Sequence, residues 1–388
     1  MSGNKSSTTG PPHDCLKAFI STETEIGRLV LNRMETHGYV VLPNILTAAE
    51  CDVELDRLWD FVEATSPGVR RDNSHSWYPS SVGDPDPWPH SGWKFLSDMC
   101  QSYQAGWLFS ELREKLAQRV FEPLYGTNEL HSSKEGFTFH RPTVTPEGCI
   151  HPLQHAARPR VCNEETHTSG EHFDQRASHT GLQCIQTSTA LLDQEDGDGC
   201  FLCWPGSHKE HPRMTENIWR GRSDWVPLTD SEVQYLRDQG YKPQRVPVKR
   251  GDVILWRSDL CHCGAPPDGL RTGFRAVSYT CMLPATLTPP NVLANKLAEY
   301  FSGLSGDHRP NVINQHLSVP KKQSKHKTKK GEELTKPTMA TGRYFSSGQP
   351  ELTWRQAELY GLVKYGSEKN GARQGADGRL YWVPPQIQ

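Results

Sequence analysis

Hydrophobic residues change their spacing several times along this chain. Gly38-Tyr39-Val40-Val41-Leu42-Pro43 is a short β-branched run, the composition that fits a pleated strand. Thr47 then begins a capping box with Glu50 three residues later, an arrangement in which each side chain satisfies the other's backbone N–H. Leu55, Leu58, Trp59 and Val62 follow at helical spacing and predict an amphipathic helix. Residues 66–95, rich in Pro, Gly, Ser and Trp, predict a long loop, and 104–121 return to helical periodicity.

From about residue 135 short β-rich segments recur, separated by turn residues: 136–140, 181–192, 200–204, 246–248, 253–256 and 275–283. Many short strands with Gly/Pro turns point to a sandwich or barrel. One helix interrupts them, capped by Thr229 with Glu232 and stopped at Gly240. A last short helix is expected around Thr353–Val363, capped by Thr353 and Gln356. The domain reading is a disordered N-terminus over 1–20, one domain over 21–302, a polar Lys-rich linker over 303–345 and a helical extension over 346–388 packed on the core.

Composition narrows the function. Of 388 residues, 43 are basic and 45 acidic, so no global field favours a polyanion or a membrane surface. The apolar runs are too short to span a bilayer, and the polar N-terminus lacks a signal-peptide core. A cytoplasmic monomer is expected, with nuclear import through the Lys-rich segment 321–330 as the variant. The 11 cysteines are scattered and read as reduced thiols. Cys200 and Cys203 form a CxxC inside an apolar run with no second pair, which suits a buried strand better than zinc.

The chemistry concentrates at His172-Phe173-Asp174. On a strand, residues two apart point the same way, so His172 and Asp174 can present nitrogen and oxygen to one metal. A third ligand must come from elsewhere. His262 is the best candidate, following the turn and apolar strand Arg250-Gly251-Asp252-Val253-Ile254-Leu255-Trp256. Two histidines and a carboxylate cover one face of an octahedron and leave three positions for a bidentate co-substrate and O2, which suits iron(II). A lone HxD is common by chance among 17 histidines, and His262 between Cys261 and Cys263 also reads as a packed histidine. The order of all the parts is what makes the pattern specific.

Four stretches resemble the phytanoyl-CoA dioxygenase family of iron(II)/2-oxoglutarate oxygenases. They are His172-Phe173-Asp174-Gln175; Gly181–Gln186 running on to Ala190-Leu191-Leu192; Asp198-Gly199-Cys200 through Trp204-Pro205-Gly206-Ser207-His208-Lys209; and Gly251–Trp256 through His262 to Arg275-Ala276-Val277-Ser278-Tyr279. The likeness covers about residues 36–300. It implies a mainly β fold with a double-stranded β-helix (jelly-roll, cupin-like) core and flanking α-helices. It also implies iron held by His172, Asp174 and His262, with an arginine anchoring the far carboxylate of 2-oxoglutarate. Arg275 fits that role, its guanidinium forking onto a carboxylate; Arg271 has the same strand parity and is the runner-up. Gln186, Ser188 and Ser169 are candidate co-substrate contacts and His179 a pocket candidate, each equally explained as a satisfied core group. His208, in the Pro-Gly-Ser-His turn, is structural by the family's pattern.

The expected activity is hydroxylation of an unactivated C–H bond in a small organic substrate, using O2 and releasing succinate and CO2. Related halogenases replace the carboxylate with a small residue. This chain keeps Asp174, which favours hydroxylation or another oxidative outcome. Segments 66–95 and 141–171 are expected to form the substrate lid. The rival readings are a nucleic-acid-modifying oxygenase, a non-catalytic jelly-roll metal-binding protein and a zinc protein built on the cysteines.

Overall fold

Alternation along a single strand, Val253–Arg257, sorts the molecule into layers. Val253 and Leu255 pack with helix residues such as Cys51, Leu58 and Leu124. Ile254 and Trp256 point the other way and pack with Phe201, Cys203 and Val246 of a second sheet. Successive strand side chains face opposite sides, so one face of this strand meets the helices and the other meets the interior between two sheets.

The computed structural model describes residues 16–66, 68–78, 80, 87–88, 99–100, 110–134, 136–142, 170–216, 224–265, 273–302, 308–313 and 351–385. Its core strands are β1 (Tyr39–Leu42), β2 (Met99–Cys100), β3 (Leu130–Ser132), β4 (Phe137–His140), β5 (His172–Phe173), β6 (Ile185–Ala190), β7 (Cys200–Cys203), β8 (Val226–Pro227), β9 (Gln244–Val246), β10 (Val253–Arg257), β11 (His262–Ala265) and β12 (Arg275–Pro284). The larger sheet runs β1-β10-β6-β12-β4-β2 with β3 also on β12; the smaller runs β8-β5-β11-β7-β9. All of these pairings are antiparallel.

The helices form where the caps dictate. Thr47 accepts from the Glu50 N–H at the start of α1 (Ala48–Thr65), and the Glu50 carboxylate accepts the Thr47 N–H at 2.9 Å. Thr229 with Glu232, and Thr353 with Gln356, cap the helices Asp230–Asp238 and Trp354–Leu359 in the same way. Two helices lacked a clear sequence signal, Glu25–Thr36 and Pro290–Ser302. Gly251, at φ +91°, has no room for a side chain: a Cβ would sit 2.2 Å from the Leu46 carbonyl oxygen. That close approach ties the turn before β10 to the chain entering α1.

Three expectations meet structure directly. The N-terminal stretch is packed from residue 16, with Leu16 fully buried and Ile20 nearly so. That corrects the disordered segment at its C-terminal end, because an apolar anchor holds it on the core. The loop expected over 66–95 contains buried anchors: Trp77 lies 4.8 Å from Phe274 between ring centroids, and Trp88 lies 5.6 Å from Trp59. Cys200 and Cys203 are buried on β7, as the apolar run implied. Ser169, Arg271, most of 141–171 and the Lys-rich segment 321–330 lie outside the described residues. Among the described residues no helix is long and apolar enough to cross a membrane.

Glu54 is the anomaly of the helical layer. It is fully buried on α1, and neither carboxylate oxygen has a hydrogen-bond partner among the described residues. Burial pushes its pKa up to about 7, outweighing the pull of Arg57, Lys115 and Arg113. The folded state therefore holds a proton that the unfolded state releases near 4.5. Stability falls as pH rises between those values, because the unfolded state binds fewer protons there. Glu54→Gln should raise stability at pH 8, by on the order of 3 kcal/mol at most, and the gain should shrink towards zero at pH 4.5. Thermal unfolding at both pH values checks this; an equal gain at both would disprove it.

Candidate metal centre

His172 and His262 are 90 residues apart in sequence yet directly opposite each other across the β5–β11 pair. Their ring centroids lie 4.5 Å apart. Each ring is oriented by the backbone just before it: His172 Nδ1 donates to the Gly170 carbonyl at 2.7 Å, and His262 Nδ1 to the Leu260 carbonyl at 2.8 Å. A carbonyl only accepts, so both Nδ1 atoms carry the proton and both Nε2 lone pairs are left for a metal. Asp174, two residues beyond His172, brings Oδ1 to 3.7 Å from His172 Nε2 and Oδ2 to 3.4 Å from His262 Nε2.

The three donor atoms all lie within 4.8 Å of one another. Donors in cis positions around a metal, with bonds near 2.1 Å, sit about 3 Å apart, so a small contraction closes the set. Among the described residues this is the one group of His, Cys, Asp and Glu side chains so arranged. It contains no cysteine. The chemistry of the donor set, two imidazoles and one carboxylate on one side of the cation, matches an open iron(II) site.

The electrostatics follow from the packing. Burial opposes ionisation of Asp174, but the imidazoles of His172 and His262 outweigh it and hold the carboxyl well below its usual range. Burial likewise opposes protonation of His172, and Asp174 reverses the sign and raises it. His262 is lowered, by burial first and by His172 second. The carboxylate is therefore the fixed negative charge of the centre.

Gln186, expected at the co-substrate, instead donates from Nε2 to Asp174 Oδ2 at 2.9 Å. It buttresses the carboxylate. Ser188 lies one step along β6 on the same face, opposite Ile254 and Tyr279. Phe201 and Trp256 rings pack 5.6 and 5.4 Å from the His262 ring, so Trp256 is both core and wall. Trp225, which the sequence did not single out, lies 6.2 Å from the His172 ring.

Arg275 is buried at the start of β12, opposite His140 on β4. It shares its face with Tyr279 and, through the Tyr279–Ser188 pairing, with Ser188 and Gln186. Its Nε donates to Gln194 Oε1 at 3.1 Å, and Nη1 and Nη2 donate no hydrogen bond among the described residues. Gly199 lets the neighbouring backbone approach: a Cβ there would lie 3.5 Å from Arg275 Cδ and 3.4 Å from His140 Nδ1. Gln194 had no sequence signal as a brace.

His179 is not among the clustered donors, and its Nδ1 accepts from Arg309. His208 Nε2 donates to the Glu35 carbonyl at 3.2 Å. That bond ties the Pro-Gly-Ser-His turn to the end of the helix Glu25–Thr36, and His208 is not among the clustered donors.

The sequence pattern described as "Phytanoyl-CoA dioxygenase (PhyH)" matches residues 112–271. The Ava biosynthesis cluster protein O of Aspergillus versicolor is 23% identical over 154 residues, 37% of this chain and 49% of that protein; the chain thus spans about half that relative's length. A Dictyostelium discoideum protein that carries the same family in its name is 20% identical over 253 residues, 59% of this chain and 68% of its own. Among solved structures, the epimerase SnoN in complex with Fe3+, alpha ketoglutarate and nogalamycin RO is 19% identical, with a TM-score of 0.41, covering 67% of this chain and 84% of that one. The matched segment encloses all three clustered donors, and over residues 112–271 the chain is similar to the phytanoyl-CoA dioxygenase family.

Proposed function

We propose that this protein is an iron(II)- and 2-oxoglutarate-dependent dioxygenase that hydroxylates an unactivated C–H bond of a small organic substrate. The observation that carries the proposal is the convergence of His172, Asp174 and His262 between two facing sheets, with Arg275 on the same interior face. The two-sheet core is read as a double-stranded β-helix. Tyr300, Trp354 and Trp382 share one apolar cluster, which supports the extension over 346–388 packing on the main domain.

Each side chain has a defined part. His172 and His262 offer Nε2 lone pairs, and Asp174 offers the anionic oxygen. Gln186 holds that carboxylate in place. Arg275, braced by Gln194, would hold the far carboxylate of 2-oxoglutarate through its Nη donors, a pairing that is strong because the donor is charged. Phe201 and Trp256 line the His262 side with apolar surface that excludes water. When bound, iron(II) and 2-oxoglutarate supply the oxidising chemistry, consuming O2 and releasing succinate and CO2.

Anaerobic titration of the protein with iron(II) and 2-oxoglutarate should give the weak visible charge-transfer band of such a chelate. Loss of the band in His172→Ala is expected; failure of the wild type to bind iron(II) would remove the proposal. Gln186→Leu should weaken iron(II) binding by about 10- to 100-fold, the range typical of residues that orient metal ligands. An unchanged affinity by competition with a chelator would show that Asp174 needs no support. Arg275→Gln should weaken 2-oxoglutarate binding by about tenfold or more while iron(II) still binds. Equal loss of both would assign Arg275 to the fold.

A further inference from the structure

Beside the metal centre, one carboxylate faces two guanidiniums, the half-buried one of Arg176 and the buried one of Arg309. Asp224 is almost fully buried. Arg176 Nε and Nη2 donate to it at 2.8 and 3.0 Å, and the Arg176 backbone N–H adds a bond at 3.1 Å. Arg309 arrives from a remote part of the chain with its side chain only 4% exposed, and Nη2 lies 3.7 Å from Asp224 Oδ1. Its Nη1 donates to His179 Nδ1 at 2.8 Å. Its Nε and Nη2 have no hydrogen-bond partner among the described residues.

Among the described residues guanidiniums outnumber carboxylates here. Burial, and then Arg309, lower the His179 pKa to about 4, so its ring is a neutral acceptor. His308 also faces Asp224. Among the described residues the buried Arg309 guanidinium shares its carboxylate with Arg176 and keeps two donors unmet, which is costly unless an anion joins them. Nor is Arg309 loosely placed. Lys296 Nζ donates to the Pro310 carbonyl at 2.8 Å, Asn311 to the Leu287 carbonyl at 3.3 Å, and Cys184 Sγ to the His308 carbonyl at 3.8 Å.

The location is adjacent to the donor set from two directions. Arg176 is two residues beyond Asp174, so their Cα atoms are at most about 7 Å apart. Asp224 precedes Trp225, whose ring packs against His172. We propose that Arg309 and Arg176, with His179 positioning Arg309, form an oxyanion subsite that receives a carboxylate or phosphate group of the substrate. A fork of charged donors suits such a group. The substrate assignment rests on the oxygenase reading above; the subsite itself does not.

The test uses the full chain loaded with iron(II) and saturating 2-oxoglutarate, so that Arg275 is occupied, and inorganic phosphate as the probe. Phosphate should raise the thermal midpoint above that in potassium chloride of equal ionic strength. Its apparent affinity should fall at least about tenfold in Arg309→Gln and less in Arg309→Lys. Asp224→Asn, which removes the competing negative charge, should tighten phosphate binding, and this decides the matter if Arg309→Gln does not fold. No phosphate response in the wild type, or an equal response in Arg309→Gln, overturns the subsite. Compounds that stimulate 2-oxoglutarate turnover separate the two sources of anion. If they carry an oxyanion and phosphate raises their KM without lowering kcat, the substrate role holds. If phosphate binds through Arg309 but leaves their KM unchanged, the site serves a free ion and the substrate role falls. The chelate band, recorded in the same samples, keeps the readings apart: a missing band sinks the oxygenase, while a normal band with an Arg309-independent phosphate response sinks only the subsite.

Discussion

The antiparallel contact between β5 and β11 is the constraint on which the centre depends. It is a short pairing, His172 against His262, flanked by β8 on one side and β7 on the other. Through it two imidazoles approach across a strand gap rather than along a chain. Asp174 can then meet both, because the backbone continues past His172 with the parity that turns position 174 to the same side. A one-residue slip in this register would turn His262 outward and leave Asp174 facing a single imidazole.

The neighbouring layers serve that register. The helices press on the outer face of the larger sheet through residues such as Leu58, Leu124, Val253 and Leu255. Its inner face supplies Ile254 and Trp256 to the interior. The same alternation that builds the core therefore sets which polar groups look inward. Gln186 and Arg275 are on the interior face by strand register, and one donor of each meets a specific partner, Asp174 for Gln186 and Gln194 for Arg275. Hydrogen bonds of this kind rigidify a site because breaking one leaves a donor stranded in low dielectric.

Charge is distributed unevenly around the centre. At the donor set an anion is shared by two imidazoles. Next to it, two guanidiniums share Asp224. The carboxylate of the donor set thus lies close in sequence to a pair of guanidiniums around Asp224, since Arg176 is two residues beyond Asp174. In the subsite proposed above, such juxtaposition would give a substrate direction as well as affinity, since opposite charges would mark its two ends.

Much of this was legible in the sequence. The capping boxes at Thr47, Thr229 and Thr353 marked helix starts because capping is a local interaction among residues three apart. The β-branched runs became β1, β6, β10 and β12, since strand propensity and turn glycines are also local. His172, Asp174 and His262 could be named because their order and spacing carry a pattern. What the sequence could not supply was anything decided across the fold. Gln186 reads equally well as a co-substrate contact or a satisfied core group until β6 is seen beside the three clustered donors. Trp77 and Trp88 looked like loop residues until Trp59 and Phe274 closed around them. Arg309 sits among polar residues with no periodicity, and only the packing of 308–313 against Cys184, Leu287 and Lys296 brings it to His179 and Asp224. Local hydrogen bonding and alternation determine elements; which side chains meet depends on long-range burial, and that is settled only when the sheets close.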